Sequence, residues 1–112
     1  MSETEQREAF AEDTPLVALF GQPARAKLAS VLVDERGRDL SISELASQAG
    51  VARSTVYDHL DALETLGVAA HTRQSGNSQR YELADTDIAE RLYELDGLVL
   101  RRLLEADGAL TD

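Results

Sequence analysis

A chain of 112 residues with 11 Lys plus Arg against 21 Asp plus Glu, 43% apolar and free of Cys and Trp, is sized for one small domain. A chain this long removes roughly two thirds of its unfolded surface from water, so a single core is feasible, and the lack of Cys excludes disulfides and thiolate zinc sites. Its apolar runs are only a few residues long and its opening stretch is charged, with Glu3, Glu5, Arg7 and Glu8, so neither a membrane span nor a signal peptide is expected, and the cytoplasm is the expected compartment.

Residues 1–13 hold only Phe10 as a large apolar group and are expected to form a flexible acidic tail. Thr14 and Pro15 read as a helix start, with Pro15 in the first turn, where its missing N–H is not needed, and Gly21 ends that short helix. Pro23 opens a second helix in which Leu28, Val31 and Leu32 recur at helical spacing until the charged turn 34–38. Ser41 and Glu44 then read as a capping box, with Leu40 and Leu45 as its hydrophobic staple, and Gly50 stands where the chain must turn through a left-handed conformation. A further helix from Arg53 to about Leu66 places Val56, Leu60 and Leu63 on one face and stops at Gly67. Residues 68–73 and 79–83 are strand candidates joined by a five-residue loop, 74–78. Asp85, Thr86 and Asp87 open a long helix that runs to about Asp107, with acidic residues where the helix dipole favours them.

The expected fold is therefore mainly α with a small β-hairpin wing, a winged helix-turn-helix over 14–84 followed by a C-terminal dimerisation helix over 85–112. The geometry suits DNA: the second helix of the motif fits a major groove about 12 Å wide, and the first packs across it and sets its angle. Over about residues 15–84 the chain resembles the ArsR-type and MarR-type winged-helix transcription regulators. Ser41-Ile42-Ser43-Glu44-Leu45-Ala46 with Gly50 is similar to the first motif helix of that family, and Ser54 through Val68 to its recognition helix and exit into the wing. The resemblance implies a sequence-specific regulator of transcription that represses by occupying promoter DNA. Ala52 departs from the usual capping Ser before the recognition helix, a loss of about 1 kcal/mol unless Ser54 or Thr55 substitutes. With no Cys and only His59 and His71, neither a metal site nor a cofactor is expected.

Projected at 100° per residue, the recognition helix turns Val56, Leu60 and Leu63 inward and Ser54, Asp58, Asp61 and Thr65 outward, with Thr55 and Tyr57 on the shoulders. Ser54 and Thr55 can bond phosphates or bases, Tyr57 either bonds a phosphate through its hydroxyl or lies half in the core, Asp58 can accept from a cytosine amino group, and His59 is either packed or turned toward phosphate. Only residues 68–84 are net positive, so Arg53, Arg73 and Arg80 are the expected phosphate contacts, with Asn77 at the wing tip and Arg25, Lys27, Arg36 and Arg38 as a possible second patch. Lys27 is the single Lys beside ten Arg, and with a net charge of −10 the composition resembles that of proteins from halophilic archaea. In molar salt charges are screened within about 3 Å, so the expected DNA binding is one that requires high salt.

On the last helix Ile88, Leu92, Leu95, Val99, Leu103 and Ala106 form one stripe, and Tyr93, Leu100 and Leu104 an adjacent one. Together they exceed the width of roughly 100° needed to pack on one core, which points to a homodimer around a two-fold axis and hence to a palindromic operator in double-stranded DNA. No catalytic constellation competes: Ser54, Asp58 and His59 share one helix without an oxyanion hole, so an enzyme is not expected. The alternative is a winged helix used as a protein-interaction module or adaptor of transcription or chromosome machinery, since fold does not settle function.

Overall fold

The computed structural model describes residues 14–108; the tail expected over 1–13 lies outside them. Among the described residues five helices and three short strands follow in order: α1 (Pro15–Phe20), α2 (Pro23–Asp34), β1 (Leu40–Ser41), α3 (Ile42–Ala49), α4 (Arg53–Thr65), β2 (Ala69–Ser75), β3 (Ser78–Leu83) and α5 (Asp87–Ala106). No helix among the described residues is long and apolar enough to cross a membrane.

Local chemistry sets the helix ends. The Ser41 hydroxyl accepts from the Glu44 backbone N–H and the Glu44 carboxylate accepts from the Ser41 N–H, both at 3.1 Å, so two otherwise unpaired donors are satisfied reciprocally. Leu40 and Leu45, flanking this box, are buried and hold the entry angle of α3. Gly50 ends α3 at φ 69°, ψ 37°, and the Val51 N–H bonds back to the Ala46 carbonyl, a left-handed cap that a side chain would strain. Thr86 caps α5 by accepting from the Ala89 N–H.

The sheet is antiparallel with strand order β1-β3-β2. Residues 40–41 thus add a third strand to the expected hairpin, one too short to show any periodicity in sequence. The expected five-residue loop is also shorter, because Ser75 pairs with Ser78 and only Gly76 and Asn77 lie between the strands. Gly76, at φ 61°, occupies the first central position of this two-residue turn, where a positive φ matches the twist of a hairpin. The core forms where α2, α3, α4 and the sheet meet, around Leu28, Leu32, Leu45, Val56, Leu63 and Val68, all nearly inaccessible. That packing holds α4 across α3 with one face outward.

Candidate nucleic-acid interface

Helix α4 starts without help from a side chain: Ala52 is its N-cap, and neither Ser54 nor Thr55 substitutes for the missing hydroxyl. The Ala52 carbonyl accepts the Thr55 and Val56 N–H groups, which leaves the first backbone donors of α4 unpaired by the helix itself. Around them Arg53, Ser54, Tyr57 and Asp58 are exposed, Tyr57 by 58%, and Thr55 is half-buried on the shoulder. Arg53 makes no ion pair among the described residues, so its charge is available to a partner.

His59 does not belong to that outer face. It is buried, and its Nδ1 accepts from Arg25 Nε at 3.3 Å, while Arg25 also donates to the Ala18 carbonyl at 2.5 Å. It lies next to Leu60 on the inward arc, so the packed reading of this histidine is the one realised. The same bonds withdraw Arg25 from the expected second basic patch. Arg36 pairs with Glu90 at 2.5 Å and lies over the Tyr93 ring, and Arg38 pairs with Glu35 and Glu44. Lys27 alone of that patch is exposed and without an ion pair among the described residues.

The wing holds its cations in an unexpected way. Arg73 and Arg80 face each other across β2 and β3, an arrangement that like charges disfavour unless an anion lies between them. Asp39 supplies it: Oδ1 accepts from Arg80 Nε and Oδ2 from Arg73 Nε, both at 2.9 Å. A register shift between His71 and Arg73 leaves Thr72 as an extra residue in β2, and Thr72 Oγ1 donates to the same Asp39 Oδ2 at 2.9 Å. Adjacent residues of a regular strand point to opposite faces, so this bulge is what lets both Thr72 and Arg73 reach one carboxylate. Hydrogen bonds from Arg73 first, then Arg80 and Thr72, hold the Asp39 carboxyl well below the usual carboxylate range.

Arg80 is corrected by this geometry as a phosphate contact. Its side chain is only 19% exposed, and its Nη2 donates both to the Asp39 carbonyl at 3.0 Å and to Glu44 at 3.1 Å. Arg73, at 62% exposure, stays on the surface although paired, and Asn77 is exposed at the wing tip. At the wing base, His71 bonds Gln79 and meets the Tyr81 ring edge-on at 5.3 Å. Asp39 and Glu44 are the residues that reasoning from sequence left out of the site. No local signal marks Asp39, whose partners lie 34 and 41 positions away.

A second surface lies opposite the core on α5. Ile88, Tyr93, Leu95, Val99, Leu100 and Leu103 are each at least 44% exposed, in agreement with the stripes read from periodicity. Leu104 is half-buried. Leu92 is a correction: it is buried in the core of its own domain, because the first turns of α5 pack on α2. Leu98 at 64% and, on α1, Leu16 and Phe20 extend the apolar surface beyond the expected stripes.

Residues 32–73 match the IclR helix-turn-helix domain. An uncharacterized HTH-type transcriptional regulator, Rv0081 of Mycobacterium tuberculosis (strain ATCC 25618 / H37Rv), is 35% identical over 94 residues, 83% of this chain and 79% of the relative. The crystal structure of M. tuberculosis Rv0081 is similar at a TM-score of 0.60 and 29% identity, covering 95% of this chain and 98% of that one. The solution structure of the homodimeric winged helix-turn-helix DNA-binding domain Mb0332 from Mycobacterium bovis, described as a possible ArsR-family regulator, has a TM-score of 0.61 at 22% identity, covering 95% of both chains. At that identity the likeness is one of fold. The relatives named here are mycobacterial and lend no support to the halophilic archaeal origin read from composition.

Proposed function

The chain belongs to the winged HTH-type transcriptional regulators, and we propose that it acts as a repressor, a homodimer that occupies a palindromic promoter site. The observation that carries this reading is the outer face of α4, where Arg53, Ser54, Tyr57 and Asp58 stand exposed beside the wing. Ser54 and Tyr57 offer hydroxyls to phosphates or base edges, Thr55 adds a third from the shoulder, and Asp58 accepts from a cytosine amino group. Arg53 and the unpaired N–H groups of the first α4 turn converge on phosphate, as helix N-termini do.

Dimerisation through α5 supplies the second reading helix. The apolar surface over Ile88, Leu95, Val99 and Leu103 is larger than isolated exposed side chains produce, and the M. bovis neighbour is described as homodimeric. A two-fold axis along this face puts the two α4 helices on half-sites roughly 34 Å apart. Because the chain carries a net charge of −10, binding strengthens toward molar KCl, where the screening length falls to about 3 Å.

Selection of bound fragments from a random DNA pool in about 2 M KCl tests this reading under screened conditions. Enrichment of one palindromic motif, with altered half-site preference in Ser54→Ala and Asp58→Ala variants, is the expected result. No enrichment by a folded protein overturns it and favours a protein-interaction module. That second reading draws on the acidic outer face of α4, where Asp58, Asp61 and Glu64 are exposed, and on the neutralisation of wing Arg residues by Asp39 and Glu44.

A further inference from the structure

The two guanidiniums on Asp39 are held unequally. Arg80 is 19% exposed and bonded to Asp39 Oδ1, the Asp39 carbonyl and Glu44, so releasing it breaks three bonds in a half-buried place. Arg73 is 62% exposed and has Asp39 as its carboxylate partner among the described residues. An ion pair this open is worth little, because water and salt screen it. Asp39 itself is 18% exposed, and a carboxylate so placed is costly to strand, but Arg80 and Thr72 remain on it if Arg73 departs.

From this asymmetry, and resting on the DNA-binding reading above, we infer that Asp39 is a positioning residue that holds Arg73 at the wing of the free protein and hands it to a DNA backbone phosphate on binding. The exchange replaces one oxyanion by another that a guanidinium grips with the same two-pronged geometry. The bulge at Thr72 serves it by turning Arg73 to the side of β2 on which Asp39 lies. Asp39 then has two effects. It keeps the wing cation ordered before DNA arrives, and it weakens the complex by competing with phosphate for Arg73.

The test uses the full chain and the duplex recovered by selection, with affinity measured by fluorescence anisotropy over a KCl series. Asp39→Asn, whose amide oxygen still accepts from Arg80, is expected to bind up to about fivefold tighter, the worth of an exposed ion pair. Arg73→Ala is expected to shift the slope of log K against log salt by about 0.9, one phosphate contact fewer, and to abolish the gain when combined with Asp39→Asn. Asp39→Asn binding no tighter, a gain that persists without Arg73, or an unchanged slope in Arg73→Ala overturns the inference. If Asp39→Asn loses its helical circular dichroism, the Arg73→Ala slope decides alone. A wild-type chain that binds no duplex overturns the regulator reading and this inference together, whereas binding with an unaltered Arg73→Ala slope overturns only the inference.

Discussion

Arg25 Nε donates to Nδ1 of His59 at 3.3 Å, tying the first turn of α2 to the middle of the reading helix. The bond fixes how α4 lies against the rest of the domain, since the imidazole is buried and Arg25 is anchored at its other end on the Ala18 carbonyl. Replacing His59 by Ala removes packing and leaves a guanidinium donor unmatched, for an expected loss of about 2 kcal/mol in urea unfolding. The salt dependence of DNA binding by the folded variant should stay that of the wild type. A changed salt slope would return His59 to the phosphate contacts.

Ala52 caps α4 with no side-chain acceptor, although its backbone is already extended at φ −71°, ψ 153°, as an N-cap requires. Ala52→Ser should therefore add stability by about 1 kcal/mol without moving the helix. An unchanged denaturation midpoint would show that the first α4 donors are already satisfied by solvent as well as by a hydroxyl.

Leu103 is 58% exposed on α5 and touches little of its own domain. Leu103→Glu should leave the fold intact by circular dichroism while converting a dimer to monomer in sedimentation, and should remove the concentration dependence of the melting temperature. A wild-type chain that sediments as a monomer in molar KCl would refute the dimer.

The carboxylates around the wing make stability depend on acid. Hydrogen bonds from Arg73, then Arg80, lower the Asp39 carboxyl, and the Ser41 backbone N–H is the largest cause lowering that of Glu44. Groups lowered by folding contribute fully above their ordinary values, 3.8 and 4.5 here, and lose that contribution as pH falls toward their folded values. Melting temperature in dilute salt should thus drop below about pH 4, and Asp39→Asn with Glu44→Gln should flatten the drop. An identical acid profile in the double variant would assign the loss to other carboxylates.

Much of the fold was legible because its signals are short. The capping box of Ser41 and Glu44 and the left-handed turn at Gly50 join residues close in sequence and appear in the structure as read, Leu40 and Leu45 beside the box are both buried, and the last helix opens at the expected place, around Thr86. The outer face of α4 followed from helical periodicity, which needs only the 100° step between residues. β1 was not legible, because two residues carry no period, and its pairing with Tyr81 and Arg80 is settled 40 positions downstream.

The site divides along the same line. Residue types and spacing alone determined a helix-turn-helix with a wing, the exposed hydroxyl of Ser54, and the apolar surplus on the last helix, whereas Tyr57, on the shoulder of the projected helix, is shown to be exposed only by the structure. Only the tertiary structure decided which cations are free. Summing charge along the chain marks residues 68–84 as the basic segment, yet Asp39 and Glu44 fold over it and claim Arg80 and Arg73. The same holds for His59, which the sequence left between packing and phosphate, and for Leu92, which periodicity placed on the dimer stripe; packing buries both within the domain. Local geometry follows from neighbours in sequence, whereas a charge or an apolar face acquires its partner from strand register, a bulge and helix docking, which bring together residues that the sequence keeps far apart.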